Sequence, residues 1–500
     1  MSIRLRILAA AAAFLISGQS LLAPAAGAQN LPNLGGTERE DLSPVMERKL
    51  GEQIMRDIRR DRDYLNDAPT LEYLNNFGNS LVAARPEVRG EAGYDFFFFA
   101  VRDSSLNAFA LPGGFIGVHS GLMLAAQTES ELASVLAHEI GHVSQRHIAR
   151  MLGSQKQDML IPLAGMLLGA LAARSSPDLA AASMMGGQGY AMQRQLNFSR
   201  EAEREADRIG LQILDEGGFD TSGMVAFFGR LQNATRAYND SMPAYLQSHP
   251  LTTERIADIQ ARIREQRYKQ RPDSIDFQLI RARVRVLQDV SAQGLRESAT
   301  QFENQLQQKS RVQTAAAKYG LAMIALRQGN AESAQGLLDE ARTEALKDCA
   351  PLDALGIDIR MAANKPAQAL KEAQAARTAF PTSRGFAMQY ADALIASGQK
   401  EEAVRFLRDQ AQLYRSDVDV QEHLAKAYAA QGKQALQHLA LAESYALNGA
   451  LPAALDQLQI ARRSPDASFY DQSIIDARER EFQQRRREEL KETKEARKPG

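Results

Sequence analysis

The sequence has very little cysteine and no excess of charge of either sign. Cys349 is the only cysteine among 500 residues, so no internal disulfide can form and the fold must rest on packing. We expect this side chain to be half-buried and to have no redox role. The 60 basic residues are balanced by 61 acidic residues, which gives no reason to expect nucleic acid as a partner.

Apolar runs long enough to span a membrane are also missing from the sequence. A short apolar run at 7–16 follows Arg4 and Arg6 and precedes the small residues AGA at 26–28. This order of a basic, an apolar and a small-residue region is typical of a secretory signal peptide. We therefore predict cleavage after about Ala28 and a mature chain that works outside the cytoplasm.

A second apolar segment, MLIPLAGMLLGALAAR, runs from Met159 to Arg174. It is too short for a transmembrane helix, and Pro162 interrupts it. Two interpretations remain open for this segment. It forms either a core helix with a mobile loop, or a lid or membrane-facing flap over an active site.

Local patterns predict a mostly helical domain with a small sheet over 41–270. Helices are predicted over 43–58, 69–82 and 129–147, and strands over 96–101 and 115–119. The strand segments are rich in aromatic and β-branched residues, and LPGG at 111–114 predicts a turn between strands.

From about residue 310 the sequence becomes repetitive. The segment at 321–341 aligns with the segment at 390–411, and the period is close to 34 residues. The predicted turns lie at Gly329, Asn364, Gly398 and Gly432, with a half-repeat at Gly449. Small residues are expected where paired helices approach closely, at Ala334, Ala369, Ala403 and Ala454.

This period resembles the tetratricopeptide repeat, which implies an all-α solenoid with a concave surface for a partner. A helical array without a ligand is the alternative. The predicted order is a signal peptide at 1–28, a linker at 29–40, the mixed domain at 41–270, a helical linker at 271–309, the repeats at 310–470 and a charged tail at 471–500.

The motif HEIGH places two histidines four residues apart. On a helix this spacing is a rotation of about 40°, so His138 and His142 face the same way, one turn apart. Glu139 is offset by about 100°, so it would lie next to a metal held by the histidines without binding it. A general base that takes a proton from metal-activated water needs that position.

A third ligand must come from elsewhere in the chain. His147 is the nearest candidate, but on a continuous helix it lies about 140° round from His142. We therefore expect it to face away, as a surface histidine or as a partner of a ligand. Glu203 and Asp207 in SREAEREAD are better placed, because they share one helical face and can supply a carboxylate ligand and an acceptor for a ligand histidine. An exposed acidic helix is the alternative.

HEIGH, SREAEREAD and NAFALPGGFIGVHSGLM together resemble the gluzincin metalloproteases of the CAAX-prenyl-protease and HtpX superfamily. The resemblance covers about 40–470 and includes exported members with C-terminal tetratricopeptide repeats. It implies a zincin-type α+β domain followed by the solenoid. It also implies one Zn²⁺ per chain at His138, His142 and Glu203, with Glu139 as the base and Asp207 orienting a ligand histidine.

The resemblance further implies roles around the cleft. In SHPLTTER, His249 would occupy the fourth zinc position and hold the enzyme latent, or it would polarise the scissile carbonyl. Arg255 would stabilise an oxyanion or form a structural ion pair. The residues that would hold an extended substrate as an edge strand are Asn107, Ala108 and Phe109. The segment at 159–174 would be a flap or a peripheral membrane contact.

The expected function is that of a periplasmic zinc-dependent endopeptidase. It would degrade misfolded or stalled outer-membrane proteins and assist their assembly, while the repeats bind the outer-membrane assembly machinery. One rival is a chaperone or assembly adaptor whose zinc site is structural or latent. A second rival is a binding module in which HEIGH occurs by chance and holds no zinc.

Overall fold

The structure is a computed structural model, described over residues 42–152, 199–237, 243–266, 269–307, 310–347 and 349–496. The predicted signal peptide at 1–28, the linker at 29–40 and the apolar segment at 159–174 lie outside these residues.

Helices surround one small sheet in the first part of the described chain. The elements are α1 (Pro44–Arg60), α2 (Ala68–Ala84), a 3-10 turn (Pro86–Arg89), β1 (Phe97–Val101), β2 (Ala108–Leu111), β3 (Phe115–His119), α3 (Ser120–Ala125), α4 (Glu129–Ser144), α5 (His147–Leu152), α6 (Arg200–Glu216), α7 (Ser222–Ala237), α8 (Ala244–Ser248) and α9 (Thr253–Glu265). The mostly helical α+β fold is confirmed.

The sheet has the strand order β1-β3-β2. β1 runs parallel to β3, and β2 runs antiparallel to it. Both strands predicted from local patterns are present, and β2 is the edge strand that the resemblance implied around Asn107, Ala108 and Phe109. It lies at one edge of the sheet, directly before the predicted turn.

The predicted helix at 129–147 is too long by three residues. α4 ends at Ser144, and a new helix, α5, begins at His147. Between them Arg146 has a φ of 52°, a left-handed conformation that ends an α-helix. The side chain of Arg146 donates hydrogen bonds to Glu47 and to the carbonyl of Leu42, and these contacts hold the break in place.

The second part of the described chain is a series of helical hairpins. The helices are α10 (Ile275–Gln288), α11 (Ala292–Leu306), α12 (Arg311–Arg327), α13 (Ala331–Ala345), α14 (Ala350–Ala362), α15 (Pro366–Ala379), α16 (Arg384–Ala396), α17 (Lys400–Leu413), α18 (Val418–Ala430), α19 (Gln434–Leu447), α20 (Leu451–Arg463) and α21 (Phe469–Ala496).

The repeat pattern predicted the turns of these hairpins correctly. The residues with positive φ in the turns are Gly329, Asn364, Gly398, Gly432 and Gly449. The small residues expected at close helix contacts, Ala334, Ala369, Ala403 and Ala454, are all fully buried. α21 is only partly solvated, since Ile475 and Phe482 are buried in a cluster with side chains of α20.

The helical hairpins also contact the sheet-bearing part. Glu72 on α2 accepts hydrogen bonds from the Ser383 hydroxyl and from the backbone N–H of Gly385 at the start of α16, the latter at 2.7 Å. Arg283 on α10 forms a bidentate ion pair with Asp67. A cavity of about 1130 Å³ opens between α2 and the repeat helices α14, α16 and α18.

Two further expectations concern burial. Cys349 is 2% exposed, so the expectation of a half-buried side chain was wrong; the residue precedes α14 and lies in the main core. Within the described ranges, no helix has both the length and the apolarity needed to cross a bilayer.

Candidate metal centre

Helix α4 carries two histidines into the core. The Thr128 side chain caps the helix by accepting a hydrogen bond from the N–H of Glu131, and the helix is buried from Glu129 to Val143. The four-residue spacing places His138 and His142 side by side, with their Nε2 atoms 3.0 Å apart. Two buried imidazole nitrogens this close together suit a cation that both can bind.

Helix α6 brings a carboxylate to the same place. The Ser199 side chain caps it by accepting from the N–H of Ala202. The helix packs closely on α4 because Gly141 has no side chain where it meets Ala206. Glu203 therefore lies with its carboxylate oxygens 3.5 Å from His138 Nε2 and 3.4 Å from His142 Nε2.

A fourth group comes from the residue after α8. His249 is buried, and its Nδ1 lies 3.0 Å from Glu203 Oε1. One ligand atom from each of His138, His142, Glu203 and His249 lies within 4.8 Å of the other three. The structure thus brings together the three predicted metal ligands and the predicted latch.

Glu139 lies beside the cluster without a hydrogen-bond partner among the described residues. The side chain is fully buried, and neither carboxylate oxygen has a hydrogen-bond partner among the described residues. Within the cluster, His249 Nε2 lies 3.6 Å from Glu139 Oε1. A buried carboxylate without a partner is costly, so the arrangement fits a site that takes a cation and its water.

Asp207 and Arg255 support the cluster from one side. Asp207 Oδ1 lies 2.9 Å from His138 Nδ1. The buried guanidinium of Arg255 donates to both oxygens of Asp207, at 2.7 Å and 2.8 Å. It also donates to the Pro250 carbonyl and lies 2.7 Å from Glu203 Oε2. These contacts favour the structural ion pair over an oxyanion role for Arg255.

The electrostatic environment acts in opposite directions on the two histidines of α4: it favours the charged form of His138, whereas burial holds the pKa of His142 well below its usual value. Burial by itself would lower the pKa of His138, but the neighbouring Asp207 and Glu203 outweigh it and raise this pKa to about 10. Burial would raise the pKa of Glu203, yet the histidines around it hold that pKa well below its usual value. Glu203 is therefore ionised and available to a cation.

The comparisons with known proteins agree with this geometry. The family model described as "Peptidase family M48" matches residues 72–263. The beta-barrel assembly-enhancing protease of Escherichia coli K12 is 31% identical over 461 residues, covering 92% of this chain and 93% of the relative. This chain belongs to the beta-barrel assembly-enhancing protease family. The relative from Yersinia pestis is 32% identical over 90% of each chain. The putative one from Vibrio cholerae is 40% identical over 51% of each chain.

Membership in the beta-barrel assembly-enhancing protease family confirms the resemblance found in the sequence. The prediction of a metallopeptidase is confirmed with it, because the matched residues 72–263 contain the whole cluster around His138. The roles of individual residues are inferred from the geometry described above and not from family membership.

His147 corrects one prediction for this family member. The residue was expected to face away from His142, but it is buried and its Nδ1 lies 2.8 Å from His142 Nδ1. The rotation argument failed because the helix breaks at Arg146. Of the two roles considered, a surface histidine is excluded and a partner of a ligand remains.

The edge strand β2 packs on α4, the helix that carries His138 and His142. The N–H of His119 donates to the Asn107 carbonyl, so residues 107, 109 and 111 hydrogen-bond to β3. Because directions alternate in an antiparallel pair, the backbone groups of Ala108 and Ala110 point to the other side. No strand pairs with that side within the described residues. Of the predicted edge residues, only Ala108 presents its backbone outward.

Sequence reasoning missed Tyr245 on α8. Its backbone N–H donates to the Leu106 carbonyl next to β2, and its ring stacks on His249 with centroids 4.6 Å apart. The only signal in the sequence was its place four residues before His249. Tyr245 therefore connects the edge-strand region with the fourth group of the cluster.

Proposed function

We propose that this chain is a zinc-dependent endopeptidase of the periplasm that degrades misfolded or stalled outer-membrane proteins and assists their assembly. The observation that carries the catalytic part is the buried carboxylate of Glu139, which has no hydrogen-bond partner among the described residues and lies beside His138, His142 and Glu203. A site built only for structure has no need of such a carboxylate.

The donor set and the charge balance favour one Zn²⁺ per chain. Two imidazoles and a carboxylate form the ligand set of a catalytic zinc site with an open position. Metal binding requires neutral ligand histidines, and in that state Glu139, Glu203 and Asp207 contribute three negative charges to the buried site and Arg255 one positive charge. A divalent cation neutralises the remaining two.

In the proposed reaction, Glu139 is the proton carrier. When bound, zinc would supply Lewis-acid activation of a water molecule and of the scissile carbonyl. Glu139 accepts the proton of the attacking water on its carboxylate and then delivers it to the leaving amine. Asp207, whose Oδ1 lies 2.9 Å from His138 Nδ1, would orient that histidine.

We propose that His249 holds the enzyme latent by filling the fourth ligand position. The contacts of His249 with Glu203 and Glu139 support this role, since both lie within 3.6 Å of its ring nitrogens. Polarisation of the scissile carbonyl by His249 is the alternative. The two roles make opposite predictions, because removing a latch raises activity and removing a catalytic group lowers it.

Substrate binding is proposed at the open side of β2. The outward backbone groups of Ala108 and Ala110 can pair with an extended chain, and such pairing reads backbone rather than sequence. This suits unfolded substrates. The choice of outer-membrane β-barrel proteins rests on the relatives' name, which describes an enhancer of beta-barrel assembly.

The remaining parts of the proposal concern the whole chain. Residues 310–470 would bind the outer-membrane assembly machinery, and residues 41–270 would be the protease domain, joined by the helices over 271–309. Residues 1–28 would direct export to the periplasm, and residues 159–174 would form a flap or a peripheral membrane contact.

Cleavage of an unfolded outer-membrane protein tests the proposal. The mature chain, His249→Ala and Glu139→Gln are compared, with zinc content measured on each sample. Glu201→Gln, an exposed change on α6, is the matched control for Glu139→Gln. We expect about one zinc per chain in all samples, faster cleavage by His249→Ala and none by Glu139→Gln.

The same experiment separates the rivals. Zinc in every sample without cleavage by any of them would favour the assembly adaptor with a structural metal. A parent chain that holds no zinc would favour the binding module. Slower cleavage by His249→Ala would assign this residue to catalysis rather than to latency.

A further inference from the structure

His142 has a buried hydrogen-bond chain behind it that the proposed reaction does not use. Its Nε2 faces the other ligand atoms, 3.0 Å from His138 Nε2 and 3.4 Å from Glu203 Oε1. Its other nitrogen, Nδ1, lies 2.8 Å from His147 Nδ1. The second nitrogen of His147, Nε2, lies 2.9 Å from Glu205 Oε2.

The direction of this chain follows from what each group can donate. An ionised carboxylate only accepts hydrogen bonds, so His147 Nε2 carries a proton that it donates to Glu205. A neutral His147 then has a lone pair on Nδ1, which accepts from the Nδ1–H of His142. In this arrangement the lone pair of His142 is on Nε2, the nitrogen that faces the cluster. The opposite direction would place the proton on that nitrogen and block it as a ligand.

The fold builds this chain from three separate elements. The left-handed Arg146 ends α4 and turns His147 back toward His142. Glu205 lies on α6, two residues after Glu203, and also forms an ion pair with Arg150 at 2.7 Å. His147 is 3% exposed although its partner Glu205 reaches solvent. Packing alone does not require a polar ring at this buried position.

We propose that His147 and Glu205 are positioning residues that fix the tautomer of His142 and thereby raise the affinity of the site for its metal. This inference rests on the proposed zinc site. Asp207 Oδ1 lies 2.9 Å from the corresponding nitrogen of His138, so each histidine of HEIGH has a polar group behind it. Acceptors behind ligand histidines typically change metal affinity by about 10–100-fold.

The test is the zinc dissociation constant, measured by competition with a chromogenic chelator on the full mature chain. We expect His147→Leu to weaken zinc binding by about 10–100-fold. His147→Asn should recover part of the loss, since its amide oxygen lies close to the position of Nδ1 and can accept from His142. Glu205→Gln should weaken binding less than His147→Leu, because its amide oxygen still accepts.

Arg150→Gln is the matched control. It removes the second partner of Glu205 at the surface and leaves the chain of hydrogen bonds to His142 intact, so its zinc affinity should stay within about threefold of the parent. The thermal midpoint of each chelated variant is measured alongside. A general loss of packing would lower that midpoint and would not be repaired by the asparagine.

The outcomes separate this inference from the proposed function. A parent chain that binds no zinc overturns the proposed function. A parent that binds zinc, with His147→Leu folded and within threefold of it, overturns the positioning role alone. If His147→Leu does not fold, Glu205→Leu decides at a half-buried position: tenfold weaker binding supports the inference, and unchanged binding overturns it.

Discussion

Gly141 lies directly against Ala206 where α4 packs on α6, and a β-carbon at Gly141 would stand 2.9 Å from the Ala206 carbonyl oxygen. That distance is shorter than real β-carbons approach a backbone oxygen, so the two helices meet this closely only because residue 141 is glycine. The contact determines how near Glu203 comes to the histidines of α4.

Gly141→Ala should therefore weaken both the packing and the metal site. The added methyl pushes α6 outward, with an expected loss of about 1–3 kcal/mol in the free energy of unfolding and weaker zinc binding. Chemical denaturation and chelator competition measure the two effects. Gly336→Ala on α13 is the control, since a β-carbon there meets nothing within 4 Å and alanine should stabilise that helix by up to about 1 kcal/mol. Equal effects of the two changes would contradict the prediction.

Arg255 is expected to be among the most sensitive positions of the fold. Arg255→Met leaves the buried carboxylates of Asp207 and Glu203 without their cation, which should cost about 3–5 kcal/mol of unfolding free energy. Arg204→Met is the control, because the ion pair of Arg204 with Glu254 joins the same helices α6 and α9 at the surface and should contribute less than about 1 kcal/mol. Urea denaturation compares them, and similar losses would argue against a special role for the buried pair.

The open side of β2 can be blocked without breaking the sheet. The N–H of Ala110 points away from β3, so Ala110→Pro removes a hydrogen-bond donor that only a bound chain could use. We expect kcat/KM for an unfolded substrate to fall by at least about tenfold, with most of the unfolding free energy retained. Phe109→Pro, which removes a donor directed to β3, should instead unfold the domain. Unchanged kcat/KM in a folded Ala110→Pro would place the substrate elsewhere.

The parts of the site that follow from local spacing were predictable, and those that depend on distant contacts were not. His138, His142 and Glu139 share one helix, so four-residue periodicity alone predicted their common face. His147 was misplaced because Arg146 adopts a left-handed conformation that its own sequence, without glycine or proline, does not indicate. The contacts that hold it there come from Leu42 and Glu47, about a hundred residues earlier.

The same distinction applies to the fold. The turns of the repeats were predictable because glycine or asparagine marks each one within its own hairpin. The contact between Glu72 and the start of α16 joins residues more than three hundred positions apart, and no periodicity carries that information. Strand β2 was indicated only by the resemblance and not by local patterns, because four residues with two alanines have little strand character of their own.

The pair of His423 and Asp392 in the repeats should make stability depend on pH. Burial would lower the pKa of His423, but Asp392 at 3.5 Å and the Asp419 carbonyl raise it above its usual value despite the nearby Lys426. The stabilisation by protonated His423 is complete below the unfolded pKa of about 6.5 and is lost as the pH rises through the raised folded value.

His423→Asn should therefore destabilise the chain more at pH 6 than at pH 9, by up to about 1 kcal/mol of unfolding free energy. Urea denaturation of both proteins at the two pH values measures the difference. Asp392→Asn removes the charge that raises the pKa, and in that background His423→Asn should no longer cost more at pH 6 than at pH 9. A parent-to-variant difference that is the same at both pH values would rule out the charged pair.

The effect of zinc removal on thermal stability should distinguish the metal ligands from the general base. A metal that binds only the folded chain stabilises it by RT ln(1 + [Zn²⁺]/Kd), about 2.7 kcal/mol when free zinc is a hundred times Kd, which corresponds to a rise of several degrees in Tm. Glu139→Gln should keep this rise, because Glu139 acts on water rather than on the metal, whereas His138→Ala should lose most of it. Calorimetry with and without chelator measures the shift. An equal rise in His138→Ala would mean that zinc stabilises the protein from another site, and loss of the rise in Glu139→Gln would make that carboxylate a ligand.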